Sequence, residues 1–342
     1  MIVLDGRVGE GGGAMLRTAL AMSLVTGKPF RMEHIRKGRD VPGLKNQHVH
    51  AVKAVESLTS SSAEGVEPGS LSMAFSPGPF VAGRLEMDTK TAASIPLLLQ
   101  ALLLPCMVED RSFSLRFIGG TDTAWSPTFA FFKEVFLAGL VRLAPVGVAV
   151  HRRGFYPKGG GVVEVSIPRH CARKPLKRGK RGKIERVYVE AFASASLQGG
   201  NVAERMVGGA RGVLERVFPP DVIEEKVSYS EAKSPGAGVL VMGQDSMGNR
   251  LGSDALGERG VLAEKVGTRA ARSLLNELRH GSSVDVHVAD MLIPFMAVFG
   301  GSVLLPRRTR HVSSNVYVCN AFLEERNHVV VSEGVAKAGG LF

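Results

Sequence analysis

Residues 5–17, DGRVGEGGGAMLR, set five glycines, with the carboxylate of Glu10 among them, ahead of a helix-forming run, with Arg17 one to two turns further on. Glycines before a helix let backbone N–H groups approach an anion, most often a phosphate. A bare phosphate nest has no use for a carboxylate, whereas a site that takes a phosphate with its divalent cation does. The Walker pattern is absent, because no Lys-Ser or Lys-Thr follows these glycines. Gly9, Gly11 and Ala14 satisfy the dinucleotide pattern G-x-G-x-x-[GA], a match that any glycine-rich run makes easily. Its acidic partner would be Glu33, which falls inside the strand-like run PFRMEHI and not at a strand's end. The plain alternative is a turn that only packs a helix against a sheet.

The chain has 342 residues, 44% of them hydrophobic, enough for a sizeable core and two domains. Forty-three Lys and Arg against 32 Asp and Glu leave a formal charge of +11, which favours polyanionic partners, chiefly nucleic acid or nucleotides. Cys106, Cys171 and Cys319 are far apart and odd in number, which argues against a disulfide scaffold or zinc ribbon and for a reducing compartment. The most apolar stretch, AASIPLLLQALLLPCMV, is too short to span a bilayer and contains Pro96, Gln100 and Pro105. It reads as a buried helix. With no signal-peptide pattern at the start, the protein is expected to be cytoplasmic, with no membrane partner.

The elements that must position the opening loop alternate in type. MIVLD leads through the glycines to a helix over AMLRTALAMSLVTG, then to the strand PFRMEHI and a helix over GLKNQHVHAVKAVESL. Strands SLSMAFSPG and GRLEMD precede the buried helix around Gln100. SFSLRFIGG, a helix over PTFAFFKEVFLAGLVRLA, and strands VGVAVHRRG and GGGVVEVSI repeat the theme. Adjacent strand pairs favour an α+β arrangement over a continuous parallel sheet. Residues 169–186, RHCARKPLKRGKRGKIER, then carry nine Lys or Arg in eighteen positions with no apolar periodicity. This reads as a boundary or exposed basic crossing. VYVEAFAS, VAERMVGGARGVLERVF, GAGVLVMGQD and LGERGVLAEKVGTRAARSLLNEL suggest a smaller α/β module beyond it, and VDVHVADMLIPFMAVFGG returns to the style of the first half. The module therefore reads as an insertion.

Six stretches in order, DGRVGEGGGAMLR, IRKGRDVPGLKNQHVHAVKA, GGTDTAWSP, GFYPKGGGVV, VADMLIPFMA and RHVSSN, resemble the RNA 3′-terminal phosphate cyclases along nearly the whole chain. The resemblance implies a large domain of three repeated βαβαββ-type units, residues 1–177 and 277–342, with a small α/β domain, 178–276, inserted before the last unit. It implies an ATP-dependent, ligase-like reaction with Mg2+ or Mn2+. A histidine takes AMP from ATP and passes it to an RNA 3′-terminal phosphate, and the vicinal 2′-hydroxyl then closes a 2′,3′-cyclic phosphate.

By position, the resemblance makes His311 the nucleophile, with Arg307, Arg308 and Arg310 beside it to favour a neutral imidazole and attract triphosphate. It gives Glu10 a divalent ion and sets Arg17 toward substrate or triphosphate charge. Arg36, Arg39, Gln47 and His48 match positions suited to the RNA 3′-phosphate, where arginine grips through paired N–H donors. Helix capping and surface ion pairs are their structural alternative. Gln100 matches an ATP-contacting glutamine, whose amide needs a partner in so apolar a helix. His287, Val288, Ala289, Asp290 and Met291 match a second ATP-contacting segment, with His287 and Met291 standing where relatives often carry Tyr and Gln. Two other readings compete: a non-catalytic cyclase-like protein of ribosome assembly, and an enolpyruvyl-transferase-like enzyme. The first lacks the histidine, and the second needs no covalent histidine.

Overall fold

The computed structural model describes residues 1–342, a mixed α/β chain consistent with the α+β class. Its strands form four four-stranded sheets. The first runs in the order Ile2–Asp5, Phe30–Glu33, Met73–Ser76, Ser62–Glu64. Its first pair is parallel because the helix Gly13–Thr26 crosses between the two strands; the remaining pairs are antiparallel. The second sheet runs Arg84–Asp88, Phe113–Gly119, Gly161–Ile167, Gly147–Arg152, and the third Leu176–Arg178, Gly301–Leu304, Val335–Ala338, Val330–Ser332. Each again has one parallel pair followed by two antiparallel pairs.

The fourth sheet, Ile223–Ser230, Ile184–Ser194, Ala237–Asp245, Arg250–Leu256, carries the helices Val202–Leu214 and Ala263–Leu278 and has its own core, running from Val187 to Leu278. The other three sheets share a single larger core.

Helices from the three sheets meet at the centre of that larger core. Gly13–Thr26 packs on both Ile95–Val108 and Arg310–Phe322, and the latter also packs on Val286–Phe299. Ile95–Val108 is the apolar helix expected from the sequence. Ser94 caps it by accepting the Leu97 N–H at 3.3 Å, Pro96 sits in its first turn, and almost every side chain is buried. Truncating one of its buried leucines to alanine costs roughly 2–5 kcal/mol. No helix is long and apolar enough to cross a membrane.

Two segments depart from the sequence expectations. The basic stretch 169–186 is more than a crossing, because Leu176–Arg178 within it forms the parallel edge of the third sheet, with Leu176 buried against Gly301. One apolar residue among cations is too little pattern to announce a strand. The run PTFAFFKEVFLAGL is helical but not uniformly so, and Phe132–Leu137 widens into a π-helix. Such widenings recur near functional sites.

Candidate active site

Thr309 starts the helix Arg310–Phe322 by accepting the Val312 N–H at 3.0 Å. His311 stands in the first turn, and the helical repeat places Ser314 and Asn315 on its face. Ser314 Oγ accepts the Glu10 N–H at 2.8 Å and donates to the Arg310 carbonyl at 2.9 Å. The glycine loop is thereby pinned across the turn that carries His311. Gly9 has φ 68°, and a Cβ there would collide with Ser314 Oγ and the Arg310 carbonyl, so only glycine suits the position.

Asn315 fixes the helix from its other neighbours. Its amide donates to the Asp290 carbonyl at 2.8 Å, and its oxygen accepts the Thr18 hydroxyl at 2.8 Å. Tyr317 adds a third tie by accepting the Asp5 N–H at 3.0 Å. Thr18, Ser314, Asn315 and Tyr317 were not singled out from sequence. The i, i+3, i+4 spacing from His311 is the signal that points to Ser314 and Asn315.

A row of polar contacts crosses the helices beside this turn. Arg17 Nε donates to Gln100 Oε1 at 3.0 Å, and Gln100 Nε2 donates to Met291 Sδ at 3.1 Å. The partner that the Gln100 amide requires is thus supplied by the chain itself. Burial pushes the Arg17 pKa down to about 10, opposed by the Asp290 carboxylate, so Arg17 remains a cation at neutral pH. Desolvation raises the Asp290 carboxyl well above its ordinary range; Asp285 adds to this and Arg17 opposes it.

The imidazole of His311 is held below its ordinary pKa, first by burial and then by the charges of Arg17, His287 and Arg39. Arg307, Arg308 and Arg310, expected to do this, are exposed, where water screens them. The cations that bear on His311 come from far away in sequence.

His48 accepts the Lys45 N–H through Nδ1 at 2.9 Å, which caps its helix. Its Nε2 edge lies against Gly13, where a Cβ would collide with it. Burial, then the charges of Arg17, Arg36 and Lys45, push its pKa down to about 3.

Arg39 is exposed and reaches across to the loop, where it pairs with the Glu10 carboxylate and donates to the Glu10 carbonyl at 3.3 Å. Arg36 closes its own loop, donating to the carbonyls of Val41 at 2.7 Å and Gly43 at 3.0 Å. Gln47 spans to the second sheet's helix, holding the backbone N–H and carbonyl of Ser94. His287 is exposed and edge-on to Phe131 at 6.2 Å, whereas the side chains of Val288 and Ala289 are buried in the core. The structure therefore gathers Glu10, Arg17, Arg39, His48, Gln100, His287, Asp290, Met291 and His311, while Arg36 and Gln47 are engaged with backbone.

No three histidine, cysteine or carboxylate side chains come together as a metal-binding group. Glu10 is the loop's one carboxylate. A single protein carboxylate is the mode in which a hard divalent cation takes its remaining ligands from substrate phosphates and water.

A family model described as RNA 3′-terminal phosphate cyclase matches residues 8–329. The chain is 38% identical over 324 residues to a Pyrococcus abyssi protein named RNA 3′-terminal phosphate cyclase, covering 94% of this chain and 93% of the relative. A Methanopyrus kandleri protein of the same name is 38% identical over 341 residues, covering 98% and 96%. One from Thermococcus kodakarensis is 39% identical over 343 residues, covering 99% and 97%. Glu10, Arg17, Arg39, Gln100 and His311 all fall within the matched span, and the chain belongs to the RNA 3′-terminal phosphate cyclase family.

Proposed function

We propose that the protein converts an RNA 3′-terminal phosphate to a 2′,3′-cyclic phosphodiester, using ATP and a covalent AMP on His311. The observation that carries this reading is the placement of His311 in the turn that the glycine loop crosses, where burial and the charges of Arg17, His287 and Arg39 disfavour its protonation. A neutral imidazole offers a lone pair, and its nitrogen attacks the α-phosphorus of ATP as pyrophosphate leaves. Arg17, permanently charged and oriented by Gln100, faces the phosphate charge that grows in this step. Gln100, Asp290, Met291 and His287 border the nucleotide, with Val288 and Ala289 contributing backbone.

AMP then passes from His311 to the RNA 3′-phosphate, and the 2′-hydroxyl displaces AMP to close the ring. Arg39 leads the grip on that phosphate, with Arg36, Gln47 and His48 forming its wall. A divalent cation, Mg2+ or Mn2+, supplies charge neutralisation on the triphosphate when bound. Glu10, paired with Arg39 in the structure, is the residue that would hold it. The architecture is read in the same spirit, with the three like-ordered sheets as three βαβαββ-type units and 178–276 as the inserted domain. A cytoplasmic location accords with three free cysteines and no spanning helix.

Incubation with α-labelled ATP and a divalent cation, followed by peptide mass spectrometry, tests this. The expected product is an AMP adduct on the peptide containing His311. A folded protein that takes no label belongs instead with a non-catalytic branch of the family.

A further inference from the structure

A second cationic site lies where the inserted module meets the larger body. A pocket of about 60 Å3 opens there, with Arg142, Arg178, Arg250, Asn249 and Ser283 in its wall and no carboxylate among its lining residues. By the same measure one water needs roughly 15 Å3, so the space suits a tetrahedral oxyanion. The wall draws on remote segments. Arg142 follows the π-helical widening, Arg178 ends the strand Leu176–Arg178, Asn249 comes from the turn after Ala237–Asp245, Arg250 opens the strand Arg250–Leu256, and Ser283 precedes the helix Val286–Phe299.

The three guanidiniums are not equally engaged. Arg250 is neutralised by Glu134 at 2.9 Å. Arg178 donates only to carbonyls, those of Gly139 and Lys177, and has no acid partner. Arg142 is exposed and makes no ion pair or hydrogen bond. Burial lowers the Arg178 pKa, the like charge of Arg142 lowers it further, and Asp245 opposes both. Asp245 is otherwise occupied by the N–H groups of Gly182, Met247 and Asn249.

Ser283 is a separate sign. It is 2% exposed, yet its Oγ has no hydrogen-bond partner. Buried hydroxyls are normally paired, and one left open in the wall of a cationic pocket still has a hydrogen bond to make. We propose that this pocket binds a phosphate group, held by Arg142, Arg178 and the Ser283 hydroxyl. That group is either an internal phosphodiester of bound RNA or free inorganic phosphate.

The test uses the whole protein without ATP and two probes, labelled inorganic phosphate and a short RNA ending in a 3′-hydroxyl, so its outcome does not depend on the cyclisation reading. Arg142→Ala, an exposed position that leaves the fold intact, is compared with Ser283→Ala and with a control, Arg169→Ala, whose arginine pairs with Asp110 elsewhere. Arg142→Ala is expected to weaken one probe about tenfold, with the control unchanged. A loss for RNA alone identifies a phosphodiester, and a loss for inorganic phosphate identifies the free ion. The probe that binds is also expected to raise the Tm of the wild type but not of Ser283→Ala, whose Tm without it equals or exceeds the wild type's. If both variants bind both probes as the wild type does, the proposal is wrong and the pocket is only a packing seam.

Discussion

Arg17 and Arg178 are both shielded guanidiniums whose pKa burial lowers, yet the regions around them are finished to different degrees. Around Arg17 every contact leads to another. Gln100 takes its N–H, Met291 takes the amide of Gln100, and Asp290 offsets its charge. The adjoining turn is tied by Ser314, Asn315 and Tyr317 to three further segments. Around Arg178 the contacts stop at carbonyls, with a buried hydroxyl left open beside it. A completed network holds its groups in place before substrate arrives, which is what a reacting centre requires. An incomplete one gains its missing partners only from a ligand.

The largest expected effect separates the two regions outright. His311→Asn should lower formation of the AMP adduct by more than about a thousandfold while leaving phosphate binding at the junction pocket unchanged. Mass spectrometry of the protein after incubation with ATP reads the first, and equilibrium dialysis the second. An adduct that survives in His311→Asn moves the nucleophile elsewhere and dissolves the contrast.

Asn315→Ala asks whether the network is as complete as it looks. The Thr18 hydroxyl and Asp290 carbonyl would both lose their partner, and stability should fall by about 2–4 kcal/mol in urea unfolding. A loss below about 0.5 kcal/mol would mean that the ties are replaceable.

Arg39→Ala probes the exposed rim of the same site. AMP transfer to RNA with a 3′-phosphate should slow by roughly ten- to a hundredfold, while adenylylation of the enzyme is largely kept. Single-turnover transfer from pre-adenylylated enzyme decides the matter. A variant that fails at adenylylation but transfers normally once charged assigns Arg39 to ATP.

The smallest effect is a slope with pH. His48 titrates near 3 when folded and near its ordinary 6.5 when unfolded. Between those values the unfolded chain binds a proton that the folded chain does not. Stability therefore falls as pH drops below about 6.5, by up to about 1.4 kcal/mol per unit from this group, and is flat with respect to it above. Urea unfolding at pH 7 and pH 5, in the wild type and in His48→Gln, isolates the contribution. Equal slopes in the two proteins would place His48 in solvent.

What the sequence made legible follows the length scale of each signal. The helix around Gln100 was plain because an unbroken apolar run with prolines admits few other readings. The loop, the histidine and the arginines were legible as motifs, since their types and spacing are local. The strand Leu176–Arg178 was not, because its partner lies more than a hundred residues away, with the whole fourth sheet between them in sequence. The helix Arg310–Phe322 was likewise unread, although Thr309 caps it, because its polar face, Ser314 and Asn315, looks like a loop until the buried groups it serves are known. The identity of the cations acting on His311 depends on three remote segments, so the neighbouring arginines were the natural and incorrect choice.

The hydrogen bond from Glu10 to Ser314 joins residues 304 positions apart, and this bears on how the protein is made. A ribosome delivers the glycine loop some three hundred residues before the serine that holds it. Over that interval the loop lacks its clamp, and Asp5 likewise waits for Tyr317. Nascent or prematurely ended chains shorter than about residue 317 lack both ties that seat this loop and strand. Synthesis of the Arg310–Phe322 segment is therefore the step that seats the glycine loop, however early the loop itself is made.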